Sequence, residues 1–369
     1  MRIKSIDFLR GLAIILVLFR HVDYVSIAHL IGWSGVDLFF VLSGFLVSGL
    51  LFKEYTTTHT IQPIQFLIRR GFKIYPLFWA VLLYVIVAHY YSGFGNEQKG
   101  ILAELFFYQN YVTDNLLGVT WSLAVEEHFY IILILGVTIA AKCKALEQRK
   151  AFHTIAFTVM GYCLVARCIT AWQYPVFDPF IHYTPTHLRL DALTCGVVLA
   201  YNYHFNKAWL TGFVARNTKV LSAIMLVCLL PLFFFDNKEL FMHTFGYTCI
   251  YLGFAILISI ILWGKGVNEL LYTKLTPVLY NCIAKIGIYS YGIYLIHIQV
   301  LNIIHRAERM YSIQLPAPVL FITYFVLSII VGAAITYLVE LPMLKVRDKW
   351  FPKGKKATKN VPMPTLQAA

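Results

Sequence analysis

Arg10 and His21 stand eleven residues apart in a stretch, Ile6 to Ile27, that is otherwise apolar enough to cross a bilayer. At about 100° per residue, eleven steps along a helix bring the two side chains to nearly one face, ~16 Å apart along the axis. An ionised group at the centre of a membrane helix costs roughly 2.5 to 3.5 kcal/mol on insertion scales, so such residues face a protein interior or a watery cavity. An arginine there can hold an anion, and an imidazole that titrates near neutrality can take the proton of a hydroxyl. The plainer reading has Arg10 snorkelling to the headgroups and His21 held by a hydrogen bond in the packing.

Other polar residues fall into the same kind of pattern. Arg69, Arg70 and Lys73 cluster where a loop meets an apolar run, a set suited to diphosphate or phosphomonoester groups or, more simply, a basic flank of a span. Ser122, Glu126 and Tyr130 recur at i, i+4 and i+8 on one helical face. Glu126 can orient a histidine, accept a proton, hold a sugar hydroxyl, or pair with an intramembrane cation such as Arg189. Ser290, Tyr294 and His297 also share a face, and His297 is either an acceptor-binding group or a satisfied interior histidine. Asp37 is a local cap or the polar wall of a cavity. Arg189 and Asp191, two apart on a helix, do not face each other, so each needs a partner on another element.

The elements that must position these groups are membrane helices. With 59% hydrophobic and 13% charged residues among 369, the chain lacks the polar surface of a soluble domain. Apolar runs near 6–28, 35–52, 74–91, 119–141, 153–172, 187–205, 219–235, 246–264, 285–305 and 318–341 predict ten transmembrane helices, an all-α polytopic protein. With the N-terminus inside, only Lys99, Lys238, Arg306 and Arg309 fall in outside loops, and Arg10, Arg20, Arg167 and Arg189 lie within spans. The rest of the 31 basic residues are cytoplasmic, which predicts both termini inside. The net charge of +13 is spread over these loops, a distribution that matches anionic lipid headgroups rather than nucleic acid. Residues 1–344 read as the membrane domain and 345–369 as a basic, disordered cytoplasmic tail. The seven cysteines form no C-x-x-C pair and no zinc spacing, so neither a disulfide nor a metal is expected.

Several segments resemble the membrane-bound acyltransferase 3 family. IDFLRGLAIILVLFRH, ending at His21, is similar to that family's first helix, an Arg or Lys followed after ten residues by His. GWSGVDLFFVLSGFL, Gly32 to Leu46, resembles its second-helix motif, and here packing by Ser43 and Gly44 is the preferred role. FLIRRGFKIYPLFW, Phe66 to Trp79, resembles its R-x-x-R segment, with Lys73 in the second position, where a point charge replaces the planar guanidinium fork. TWSLAVEEHFYI, HLRLDALTCGVVLA, IGIYSYGIYLIHIQV and Glu340-x-Pro342 are similar to further family motifs and follow in the family order.

The resemblance implies an O-acyltransferase that uses cytosolic acetyl-CoA and a hydroxyl acceptor, in many members a lipid-linked or cell-surface glycan, in the cytoplasmic membrane. It implies His21, Arg10 and Glu126 as catalytic residues, and Arg69, Arg70 and Lys73 as the donor's phosphate site. Asp37, Arg189, Tyr294 and His297 are expected at the acceptor. His21 would act as general base or as a transient acyl carrier. Some members carry an additional hydrolase-like domain for which this sequence has no room, so a stand-alone enzyme, or one that hands the acyl group to another protein, is expected. Succinyl-CoA is an alternative donor. A proton-coupled transporter or channel, with Arg10, His21, Glu126 and His297 along its path, is the rival reading.

Overall fold

The computed structural model describes residues 3–22, 24–91, 98–113 and 116–352, and these are helical with no strand. The principal helices are α1 (Lys4–Arg20), α2 (Gly35–Thr58), α3 (Pro63–Tyr91), α4 (Trp121–Lys142), α5 (Arg149–Gln173) and α6 (Leu190–Phe205). They continue with α7 (Thr218–Leu229), α8 (Tyr247–Trp263), α9 (Pro277–Ile288), α10 (Ser290–Tyr311), α11 (Ala317–Ile335) and α12 (Leu341–Trp350). The chain is an all-helical, polytopic membrane protein.

Ten spans were expected. Six helices are long and apolar enough to cross a bilayer, or up to eight if each of two bent pairs is one span. The bent pairs are Lys207–Arg216 with Thr218–Phe233, at 82°, and α9 with α10, at 79°. The apolar runs at 6–28 and 187–205 form shorter helices of 17 and 16 residues. The first stops because its chain turns at His21, the C-cap, before a short helix, Ser26–Gly32. Apolar length in sequence counted these residues as one continuous span; the backbone divides them.

Two reciprocal glycine contacts draw the bundle together around the site. A Cβ on Gly44 of α2 would lie 2.0 Å from the Leu193 carbonyl oxygen of α6, and one on Gly196 would lie 2.2 Å from that of Val41. Gly11 of α1 and Gly287 of α9 meet the carbonyls of Ile283 and Asp7 in the same way. Without a hydrophobic drive between helices in lipid, such close backbone approach supplies much of the packing. The start of α9 is fixed locally: Thr276 accepts a hydrogen bond from Leu279 N at 3.3 Å, and Pro277 takes the first helical position.

At its other end the chain continues as helix to Trp350, past the boundary expected at Lys345. Asp348 of α12 pairs with Arg69 of α3 at 2.8 Å, and the Phe351 carbonyl accepts from Arg69 as well. The remainder of the expected tail, residues 353–369, lies outside the described residues.

Candidate active site

A cavity of about 830 Å³, its open mouth included, lies where α1, α2, α3, α4 and α10 converge. Arg10, Arg70 and Lys73 line it together with Glu126, Ser43, Ser122, Ser290, Tyr291 and Tyr294. Helical geometry explains why Arg70 enters it and Arg69 does not: the two are about 100° apart around α3. Arg69 turns to α12 and is neutralised there. Of the three cations expected to act together, the structure brings two to the cavity and adds Arg10 from α1.

Arg70 is held from one side by α4. Its guanidinium carbon sits 4.3 Å from the Tyr130 ring centroid, Nη2 donates to the Tyr130 hydroxyl, and Glu126 Oε2 lies 3.6 Å away. Tyr130 gives its own proton to Glu126 at 2.6 Å, so its oxygen receives from Arg70 and, at 2.6 Å, from Ser43. The next residue of α4, Glu127, accepts from the Tyr75 hydroxyl at 2.9 Å. The cation beside Glu126 is thus Arg70, not Arg189. Ser43, for which packing alone was the preferred role, both packs and joins this hydrogen-bonded chain.

The opposite wall rises along α10. Tyr291 donates from its hydroxyl to the Ile74 carbonyl of α3 at 2.8 Å, which sets the start of α10 level with Lys73. One turn on, Tyr294 donates to the Val119 carbonyl at 2.6 Å and meets the Ser122 hydroxyl at 2.5 Å. The segment before α4 is tied down for this contact. Glu104, buried, accepts from the Thr120 hydroxyl at 2.8 Å and from Leu117 N at 3.2 Å, and Gln109 donates to the Thr120 carbonyl at 3.0 Å. Burial pushes the Glu104 carboxyl up to about 7, against the opposing pull of those two hydrogen bonds.

His21 is not among the residues that line the cavity. It stands beyond Tyr294 in a row of rings: the Tyr294 and His297 centroids are 5.6 Å apart, and those of His297 and His21 are 4.9 Å apart. His297 is fully buried, and its Nδ1 bonds the Tyr294 carbonyl at 2.6 Å. A carbonyl only accepts, so Nδ1 carries the proton and, in the neutral ring, Nε2 offers a lone pair. That Nε2 has no hydrogen-bond partner among the described residues. His21 and His297, assigned separately from the sequence, form a pair. Arg20, adjacent to His21, turns away and donates to the His29 carbonyl at 3.3 Å.

Two expected site residues lie elsewhere. Asp37 and Arg189 pair at 2.5 Å, both buried, with Tyr247 and Tyr183 against the guanidinium at 4.3 and 5.0 Å. Neither lines the cavity. Asp191 finds its partner on another helix, as its spacing required, in Arg167 at 2.6 Å. Among the described residues no group of three or more His, Cys, Asp or Glu side chains is arranged to hold a metal ion.

Residues 3–337, nearly the whole membrane portion, match the model of the acyltransferase domain family, Acyl_transf_3. The chain belongs to the acyltransferase 3 family. Among curated relatives of this acyltransferase 3 protein, the peptidoglycan O-acetyltransferase OatA of Listeria monocytogenes is 28% identical over 326 residues. The match covers 82% of this chain and 50% of that protein. The O-acetyltransferase OatA of Staphylococcus aureus is 25% identical over 378 residues, 96% of this chain and 59% of that one. The chain therefore spans about half the length of the curated relatives it matches. No solved structure matches it.

Proposed function

We propose that this acyltransferase 3 protein is an O-acetyltransferase of the cytoplasmic membrane, with both termini inside. It moves an acetyl group from cytosolic acetyl-CoA to a hydroxyl of a lipid-linked or cell-surface glycan. Relatives named as O-acetyltransferases, one of them of peptidoglycan, support that reaction class and make a peptidoglycan hydroxyl the first acceptor to test. One observation carries the reading: a single cavity gathers Arg10, Arg70 and Lys73, and its far wall continues through Tyr294 to a pair of imidazoles.

In this reading the donor's diphosphate meets Arg70 and Lys73, where guanidinium and ammonium groups form charge-assisted hydrogen bonds to phosphate oxygens. The pantetheine arm passes Arg10 and carries the thioester toward His21. The ~16 Å rise from Arg10 to His21 along the helix matches the reach such an arm needs. His21 takes the proton of the acceptor hydroxyl as its oxygen bonds to the acetyl carbon, the C–S bond breaks, and the proton leaves with CoA as its thiol. His21 serves equally as a nucleophile that carries the acetyl group before the acceptor takes it. Tyr294 and His297 line the acceptor side, and Glu126 holds Arg70 and Tyr130 in place. Asp37 and Arg189 belong to the frame in this account.

The test uses membranes that contain the protein and acetyl-CoA labelled in the acetyl group. Label in a glycan, absent when the chain is absent, is the expected result. Unmodified labelled solute crossing the membrane, with no covalent product, overturns the reading in favour of transport.

A further inference from the structure

The start of α10 enters the cavity at the bend between α9 and α10. A helix of 22 residues begins there, and its first N–H groups have no acceptor within the helix itself. They present roughly half a positive charge to whatever lies in front. Bent or broken membrane helices place such ends against anionic groups of their ligands.

A second, independent observation points to a ligand. Ser290, the first residue of α10, is 1% exposed and lines the cavity. Its Oγ has no hydrogen-bond partner among the described residues. A buried hydroxyl left without a partner is costly, so it implies an oxygen-bearing occupant in the filled site. The level of this hydroxyl narrows the chemistry. Tyr291, its neighbour, is bonded to the carbonyl of Ile74, the residue after Lys73. Ser290 therefore stands beside the cationic part of the cavity. His297 lies seven residues further on, ~10 Å along the helix.

We propose that Ser290 and the N-terminus of α10 form a subsite for a phosphate oxygen of a diphosphate, in the cavity that Arg70 and Lys73 also line. One phosphate is gripped by side-chain cations and the other by a hydroxyl and backbone N–H groups. The occupant is the diphosphate of an acyl-CoA donor or that of a lipid-linked glycan acceptor. The choice between these two rests on the function proposed above, whereas the subsite itself does not.

The test is direct binding of radiolabelled inorganic pyrophosphate to the purified full-length protein in detergent, with no turnover required. The wild-type protein is expected to bind pyrophosphate, Ser290→Ala about tenfold more weakly, and Ser290→Thr, which keeps the hydroxyl, within about threefold of wild type. Displacement by CoA identifies the donor as the natural source, and displacement by a polyprenyl diphosphate identifies the acceptor; each supports the subsite. Should Ser290→Ala not accumulate, Ser290→Gly makes the same comparison. Absence of pyrophosphate binding to the wild-type protein, or equal binding by the variant without the hydroxyl, overturns the proposal. Because binding is read without acetyl transfer, a failed subsite is distinguishable from a failed reaction assignment.

Discussion

Two groups of cations in this protein have opposite surroundings. Arg167 and Arg189 are each closed by one carboxylate, at 2.6 and 2.5 Å, and are about 1% exposed. Arg167 is bonded further to the Thr244 and Leu188 carbonyls and to the Thr248 hydroxyl. Arg10, Arg70 and Lys73 instead border one cavity. The expense of a charge within a span marks Arg10, Arg167 and Arg189 alike in the sequence, whereas Arg70 and Lys73 read there as the basic flank of a span. What separates a joint in the frame from a binding group is whether open space adjoins the charge, and that depends on helices distant in sequence.

The sharpest way to break this contrast is to unpair the frame. Asp37→Ala leaves Arg189 buried without its carboxylate, and a loss of about 3–5 kcal/mol is expected, read as failure to accumulate in the membrane. Replacing both, Asp37→Leu with Arg189→Met, is expected to restore much of the accumulation, since a well-packed apolar pair avoids the desolvation cost. A double variant as unstable as the single one would assign the pair more than a joint. Arg70→Ala is expected to behave in the opposite sense, with protein that accumulates and a KM for acetyl-CoA raised about tenfold or more. An unchanged donor KM would move the phosphate site elsewhere.

Smaller effects refine the cavity side. Tyr130→Phe removes the hydroxyl that links Arg70, Ser43 and Glu126, and a donor KM raised roughly three- to tenfold is expected. Equal kinetics in that variant would show that Glu126 alone suffices to hold Arg70.

Outside the cavity, a pH-dependent effect is expected from Glu104, whose carboxyl is raised by burial from 4.5 to about 7. Between those two values the unfolded chain has released a proton that the folded one keeps, so stability falls as pH rises through this window. Below it the contribution is fully present, and above it lost. Glu104→Gln is expected to flatten the thermal midpoint between pH 5 and 7, and an unaltered slope would place the pH dependence in another group.

Much of this was legible in the sequence. Helical spacing put Ser122, Glu126 and Tyr130 on one face and Ser290, Tyr294 and His297 on another, and these faces meet across the cavity. The rule that residues two apart on a helix do not meet gave Arg189 and Asp191 separate partners. What spacing cannot supply is the pairing between helices. It put Arg69 with Arg70, whereas α12 takes Arg69 away, and it left the partners of Asp37 and Arg189 unnamed because neither was visible from the other's segment. The meeting of His21 with His297 was hidden for the same reason. Ser290 was seen on its face but not as a buried hydroxyl without a partner, since only coordinates reveal the bend that opens α10 into the cavity. The ten apolar runs and the helices differ where apolar length outlasts the helix, at His21, and where the chain bends, at Ser290.

The central claim is that the cationic cavity and His21 work on one acyl donor. Membranes holding wild-type protein or His21→Ala, matched for protein amount, are supplied with labelled acetyl-CoA, and label bound to glycan is measured. The account expects transfer by the wild type and a loss of at least about a hundredfold in the variant. Transfer at the wild-type rate by His21→Ala would contradict it.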